Sequence, residues 1–101
     1  MEKSYNKLVR DKIPEILDQK NISYDKRIAT EQEYKTELIK KLDEEVKEFL
    51  QAYDIEELAD VIEVVESLKK LPEYSNIEEV RNNKLKEKGG FENKIILKGH
   101  Y

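Results

Sequence analysis

The 101-residue sequence has no cysteine and no tryptophan, a single histidine, three glycines and two prolines. Without cysteine, neither a disulfide framework nor a thiolate zinc site can form. The one histidine, His100, sits next to the last residue and argues against His-based catalysis or a His-rich metal site. So few Gly and Pro leave few chain breaks, which favours long helices over a many-turned β fold. No apolar run approaches the length of a membrane span, and Met1 to Lys12 lacks the apolar stretch of a signal peptide. A cytoplasmic address with no membrane partner is therefore the expectation. The net charge of −4 lacks the cationic excess of a general nucleic-acid binder, so no nucleic-acid partner is expected either.

What is present is charge in helical register. Charged residues make up 42% of the chain and apolar ones 38%, a balance that suits amphipathic helices around one modest core. With no repeat, linker or low-complexity segment, residues 1–101 read as a single domain. Asp11 with Pro14 predicts the start of a short helix carrying Ile13, Ile16 and Leu17, with Asn21 as its stop. Thr30 followed by Glu33 is a capping box that opens a second helix to about Ala52, where Tyr34, Leu38, Leu42, Val46, Phe49 and Tyr53 recur every three or four residues. Asp54 followed by Glu57 repeats the capping pattern and opens a third helix that ends near Leu71-Pro72. The turn between these helices is so short that they must be antiparallel neighbours. Ser75 followed by Glu78 predicts a fourth helix to about Lys86, ahead of Gly89-Gly90. The expected class is mainly α with about four helices. Weak alternation leaves room for a minor β element near residues 22–29 and 94–98.

Helical residues advance by about 100° each, so faces can be read from the sequence. On the second helix Glu45 and Glu48 fall beside the apolar stripe, one turn apart, whereas Glu44 and Lys47 fall opposite it and should be solvated. On the third helix Glu57 and Asp60 share a face with Val61, Val64 and Leu68. Two adjacent antiparallel helices thus each offer an acidic i, i+3 pair at an apolar boundary. Four crowded carboxylates repel one another, and a divalent cation with a preference for oxygen ligands removes that cost. A simpler alternative exists for Glu57, which occupies the third position of the Asp54 capping box and is favoured there without a metal. In a chain with 23 Asp and Glu, acidic pairs also arise by chance on solvated faces.

The run Lys41-Leu42-Asp43-Glu44-Glu45-Val46-Lys47-Glu48, followed by Glu57-Leu58-Ala59-Asp60-Val61-Ile62, resembles the ExxE…ExxD signature of the MazG-like all-α nucleoside triphosphate pyrophosphatases. The opening Tyr5-Asn6-Lys7-Leu8-Val9-Arg10-Asp11-Lys12-Ile13-Pro14 and the late Lys88-Gly89-Gly90-Phe91 resemble a small single-domain branch of that superfamily, labelled phosphoribosyl-ATP pyrophosphohydrolase-like. The motifs occur in the family's order and span nearly the whole chain. The gap between the acidic pairs, residues 49–56, is shorter than in the MazG pattern.

The resemblance implies hydrolysis of a nucleoside triphosphate to monophosphate and pyrophosphate, in a role such as clearing non-standard nucleotides. It implies Glu45, Glu48, Glu57 and Asp60 as Mg²⁺ ligands, with Mn²⁺ able to substitute. Glu48 or Glu45 would be the catalytic carboxylate that orients or deprotonates water. Lys7, Arg10 and Lys12 of the opening motif, with Arg81, Lys84 and Lys88 near the fourth helix, would be the cations that hold the triphosphate. The family habit of forming dimers or larger assemblies, together with the nearly all-round apolar third helix, leads to an expected homo-oligomer. Two alternatives stand beside this reading: hydrolysis of phosphoribosyl-ATP in histidine biosynthesis, and a non-catalytic helical oligomerisation module.

Overall fold

A computed structural model describes residues 6–99 of the chain. Among them are four α-helices and no strand: α1 (Ile13–Gln19), α2 (Glu31–Ala52), α3 (Ile55–Lys69) and α4 (Ile77–Lys88), with a 3-10 turn over Pro72–Tyr74 ahead of α4. The mainly α class and the count of four helices agree with the sequence patterning. Residues 22–29 and 94–98 carry no ladder pairing. Ile28 and Ile96 are each 92% exposed, so these apolar side chains cover no core, and residues 22–29 are tied to the helices by side-chain bonds such as Tyr24 to Asp18 and Arg27 to Glu33.

The central unit is the α2–α3 hairpin. Thr30 caps α2 by accepting a hydrogen bond from the Glu33 N–H at 3.2 Å, and Asp54 caps α3 by accepting from the Glu57 N–H at 2.9 Å. Between them Tyr53 ends α2 in the left-handed region (φ 57°), its N–H returning to the Phe49 carbonyl at 2.7 Å. With only Tyr53 and Asp54 between the helices, the chain reverses at once and α2 and α3 pack along their length. Leu38, Val64 and Leu71 form the buried core, and Leu8, Tyr34, Leu42, Leu68 and Tyr74 pack against it.

The shorter helices begin differently from their predicted starts. α1 is preceded by Lys12, not Asp11, and no side chain caps it; Pro14 lies in its first turn and Asn21, at φ 56°, follows its end. α4 is preceded by Asn76, again without a side-chain cap, because the 3-10 turn takes up Ser75. Glu78 is drawn instead to Lys69 at 2.8 Å and Arg81 at 3.1 Å. The helix runs on to Lys88, and Gly89 (φ 78°) ends it.

α4 has no buried residue and makes no extended contact with α2 or α3. The radius of gyration is 18.1 Å, against about 13 Å for a compact chain of this length. The accessible surface of 9801 Å² likewise exceeds the roughly 6,000 Å² of a compact 12 kDa monomer. Going round each helix from the buried seam, Ile39 and Leu50 on α2 and Leu58, Ile62 and Val65 on α3 fall to one side, and all are exposed. The acidic residues fall to the other. No described helix is long and apolar enough to cross a membrane.

Candidate metal centre

The site is built where the polar edge of α2 meets that of α3. Stepping one turn along α2 places Glu45 and then Glu48 on the same flank, and stepping one turn along α3 places Glu57 and Asp60 opposite them. Carboxylate oxygens of Glu45, Glu57 and Asp60 lie within 4.8 Å of one another, and so do those of Glu44, Glu45 and Glu48. Glu45 is common to both groups. It is also the one charged residue in the buried class among those described, at 8% exposure.

Burial decides the electrostatics. Desolvation pushes the Glu45 carboxyl above the usual carboxylate range, and repulsion from Glu48 adds to it. Glu57 is raised for the same reasons in the same order. Oε2 of Glu45 and Oε2 of Glu57 are both shielded from solvent and accept no hydrogen bond. A buried carboxylate oxygen without a donor is costly, and most such atoms in folded proteins have one. The Glu57 finding bears on the capping alternative: its backbone N–H serves the Asp54 cap, while its carboxylate turns into the seam. The backbone of Glu57 thus serves the cap while its carboxylate lies among the other acids.

Cations surround this group. Arg10 donates to Asp60 at 2.7 Å and Lys7 to Glu44 at 2.8 Å, so the N-terminal segment reaches one residue of each helix. Lys41, one turn before the acids on α2, lies 3.4 Å from Glu44 and 3.6 Å from Glu45. The Lys7 ammonium, with help from Lys41, holds the Glu44 carboxyl below its ordinary range. Glu44 was expected to be plainly solvated; the segment carrying Lys7 covers that flank of α2, so the residue is half-buried and paired. Lys41 was legible as an i, i+4 partner of Glu45, whereas Lys7 lies 37 residues from Glu44 and nothing local marks the contact.

The other expected phosphate ligands are placed less centrally. Lys12 is exposed just before α1. Arg81 pairs with Glu78 within α4, and Lys84 and Lys88 are exposed farther along that helix. α4 starts beyond the end of α3 remote from Glu57, so the described chain does not bring these three to the carboxylates. Tyr5 and His100 lie outside the described residues. Two open surface hollows, one lined by Asp18, Tyr24 and Lys26 and the other by Lys35, Leu71 and Glu73, lie away from the acidic group and gather no comparable set of like charges.

The donor set is all carboxylate oxygen, which suits a hard divalent cation of the Mg²⁺, Mn²⁺ or Ca²⁺ kind, and the two donorless oxygens are the atoms such an ion would satisfy. In comparisons with protein-family models, curated proteins and solved structures, none matches this chain.

Proposed function

We propose that this protein is a Mg²⁺-dependent nucleoside triphosphate pyrophosphohydrolase whose metal ligands are Glu45, Glu57 and Asp60, with Glu48 beside them. The observation that carries the reading is the convergence of three carboxylates from two helices on a seam where two of their oxygens have no hydrogen-bond donor. The motif resemblance supplies the reaction class, and the converging carboxylates support it.

Mg²⁺, when held there, supplies positive charge to the phosphoryl oxygens and to the leaving pyrophosphate. The chain's own residues do the remainder. Arg10 and Lys7 pair with Asp60 and Glu44 at the flanks of the carboxylate group, and on exchanging those partners they would bind phosphate oxygens, Arg through a planar fork and Lys as a point charge. Glu48 is exposed at the edge of the cluster and is placed to take the proton of the attacking water. Attack on phosphorus breaks the α–β anhydride and releases a nucleoside monophosphate and pyrophosphate.

The reading includes self-association. The exposed apolar residues Ile39, Leu50, Leu58, Ile62 and Val65 share one side of the hairpin, away from the acids. The surface in excess of a compact monomer is larger than the roughly 800 Å² per partner of a standard interface. A second copy that covers this side leaves the carboxylates open to substrate.

The test is pyrophosphate release across a panel of standard and modified nucleoside triphosphates and phosphoribosyl-ATP, with and without Mg²⁺. Release that needs Mg²⁺ and is lost in Asp60→Asn supports the reading. Selective turnover of phosphoribosyl-ATP would replace the general nucleotide substrate, and no release from any of them would remove the enzyme.

A further inference from the structure

Arg10 does not stand at the edge of the carboxylate group waiting for phosphate. Its Nη2 is on Asp60 Oδ1 at 2.7 Å, and Asp60 is one of the three residues whose oxygens converge at the seam. Three residues earlier in the same segment, Lys7 is on Glu44 of α2. Leu8, between them, packs against the core. The segment therefore straddles the two helices, pinned by an apolar side chain and carrying one cation to each acidic edge.

The contacts differ in how easily they yield. Leu8 is partly buried. The Arg10–Asp60 pair is exposed, at 56% for the arginine side chain and 40% for the aspartate, and uses a single nitrogen of the guanidinium. Exposed monodentate ion pairs are weakly held and readily exchanged. Asp60 faces a choice between this arginine and a divalent ion, which would also meet the one buried oxygen that lacks a donor on each of Glu45 and Glu57.

We infer that Arg10 is an exchangeable counter-ion: in the metal-free protein it neutralises Asp60, and a divalent cation displaces it, freeing the guanidinium for a substrate phosphate. The inference rests on reading the cluster as a divalent-cation site. It adds a second position for Arg10 and an order of events, in which the cation binds before the phosphate finds its arginine. Leu8 limits the movement to the side chain and the adjoining backbone, so the guanidinium stays beside the site.

An arginine with these two positions opposes one ligand and favours the other. Arg10→Ala should bind Mg²⁺ more tightly, by about fivefold, as expected when one exposed competing charge is removed. The same variant, loaded with Mg²⁺, should bind inorganic pyrophosphate about tenfold more weakly, as expected for a lost charge-assisted hydrogen bond. Arg10→Lys keeps the charge and should lie near the wild type for Mg²⁺. Arg27→Ala removes the same charge from the Glu33 pair at the far end of α2 and should leave Mg²⁺ affinity unchanged.

The experiment is titration calorimetry of the full chain and these three variants with Mg²⁺ alone and then with pyrophosphate at saturating Mg²⁺, with circular dichroism to establish that each variant is folded. Opposite signs for the two ligands in Arg10→Ala support the inference. Unchanged or weaker Mg²⁺ binding in Arg10→Ala, with normal binding by the wild type, overturns it and leaves the metal centre standing. Absence of Mg²⁺ binding by the wild type overturns both.

Discussion

Glu45 on α2 and Glu57 on α3 face each other across the hairpin seam, and each turns an Oε2 to a place where no donor meets it. Neither can be relieved by its own helix. Lys41 reaches the other oxygen of Glu45 at 3.6 Å, and the Asp54 cap uses the backbone of Glu57 and not its carboxylate. The carboxylates at the seam thus repel one another, a cost that a cation or a proton would relieve.

Without a divalent ion, Glu45→Gln should stabilise the protein near neutral pH, because the amide removes a buried charge and keeps the shape. The expected gain is about 1 kcal/mol, or about 4–8 °C in Tm for a domain of this size. Thermal unfolding in chelator-treated buffer checks it. An equally large loss of stability would mean that the carboxylate is already satisfied.

The same repulsion has a pH signature. Burial raises the Glu45 and Glu57 carboxyls above their unfolded values, so the folded state holds these protons more firmly. Stability from them is complete below the ordinary carboxylate range and declines as pH rises through the elevated values. Glu44, paired with Lys7, runs the other way, and its contribution fades as pH falls. Comparing wild type with Glu45→Gln isolates the first effect. Their Tm difference should be smallest below the ordinary carboxylate range, where Glu45 is protonated in both states, and should favour Gln increasingly as pH rises through that range and above it. A constant difference across that range would count against the raised carboxyl.

Mg²⁺ should raise the Tm of the wild type. At about one hundred times its dissociation constant, a ligand specific for the folded state adds about 2.7 kcal/mol. Glu45→Gln and Asp60→Asn should lose most of this shift, and Lys47→Ala, at the i, i+4 pair with Asp43 on the solvated flank, should keep it. Equal shifts in all variants would place the ion elsewhere.

How much of this could be read beforehand depended on the range of each interaction. α2 and α3 were legible because their apolar period and the Thr30 and Asp54 caps are local, and both caps form. The two acidic pairs were legible for the same reason, since i, i+3 spacing on antiparallel neighbours forces proximity. Glu44 departs from the solvated position its helix face implies because its partner Lys7 comes from a segment with no period of its own. Ser75 looked like a cap, but Pro72 starts a 3-10 turn that absorbs it, so α4 begins later and uncapped. The tail from Phe91 to Leu97 has strand-like composition, yet an exposed segment without a partner has no ladder to join.

Asp54→Ala should cost about 1 kcal/mol through loss of the α3 cap. Because the capped N–H belongs to Glu57, it should also weaken Mg²⁺ binding without removing a ligand. Urea unfolding and cation titration on one preparation check both. A stability loss with unchanged cation affinity would mean that the cap does not help position the Glu57 carboxylate.

Leu58→Glu with Ile62→Glu should shift the protein toward monomer, since these side chains lie on the apolar side of the hairpin. Sedimentation velocity over a concentration series reads the change. A wild type that is monomeric throughout would contradict self-association on this face.

The central claim is that carboxylates from α2 and α3 hold the cation on which nucleotide cleavage depends. Pyrophosphate release from a nucleoside triphosphate panel tests it most directly, with wild type, Glu45→Gln and Asp60→Asn compared at matched Mg²⁺. The account predicts release by the wild type only with Mg²⁺, and loss of at least a hundredfold in each variant, about the effect of removing one charge-stabilising group from a catalytic site. Release that persists in both variants, or that does not depend on a divalent ion, would contradict it.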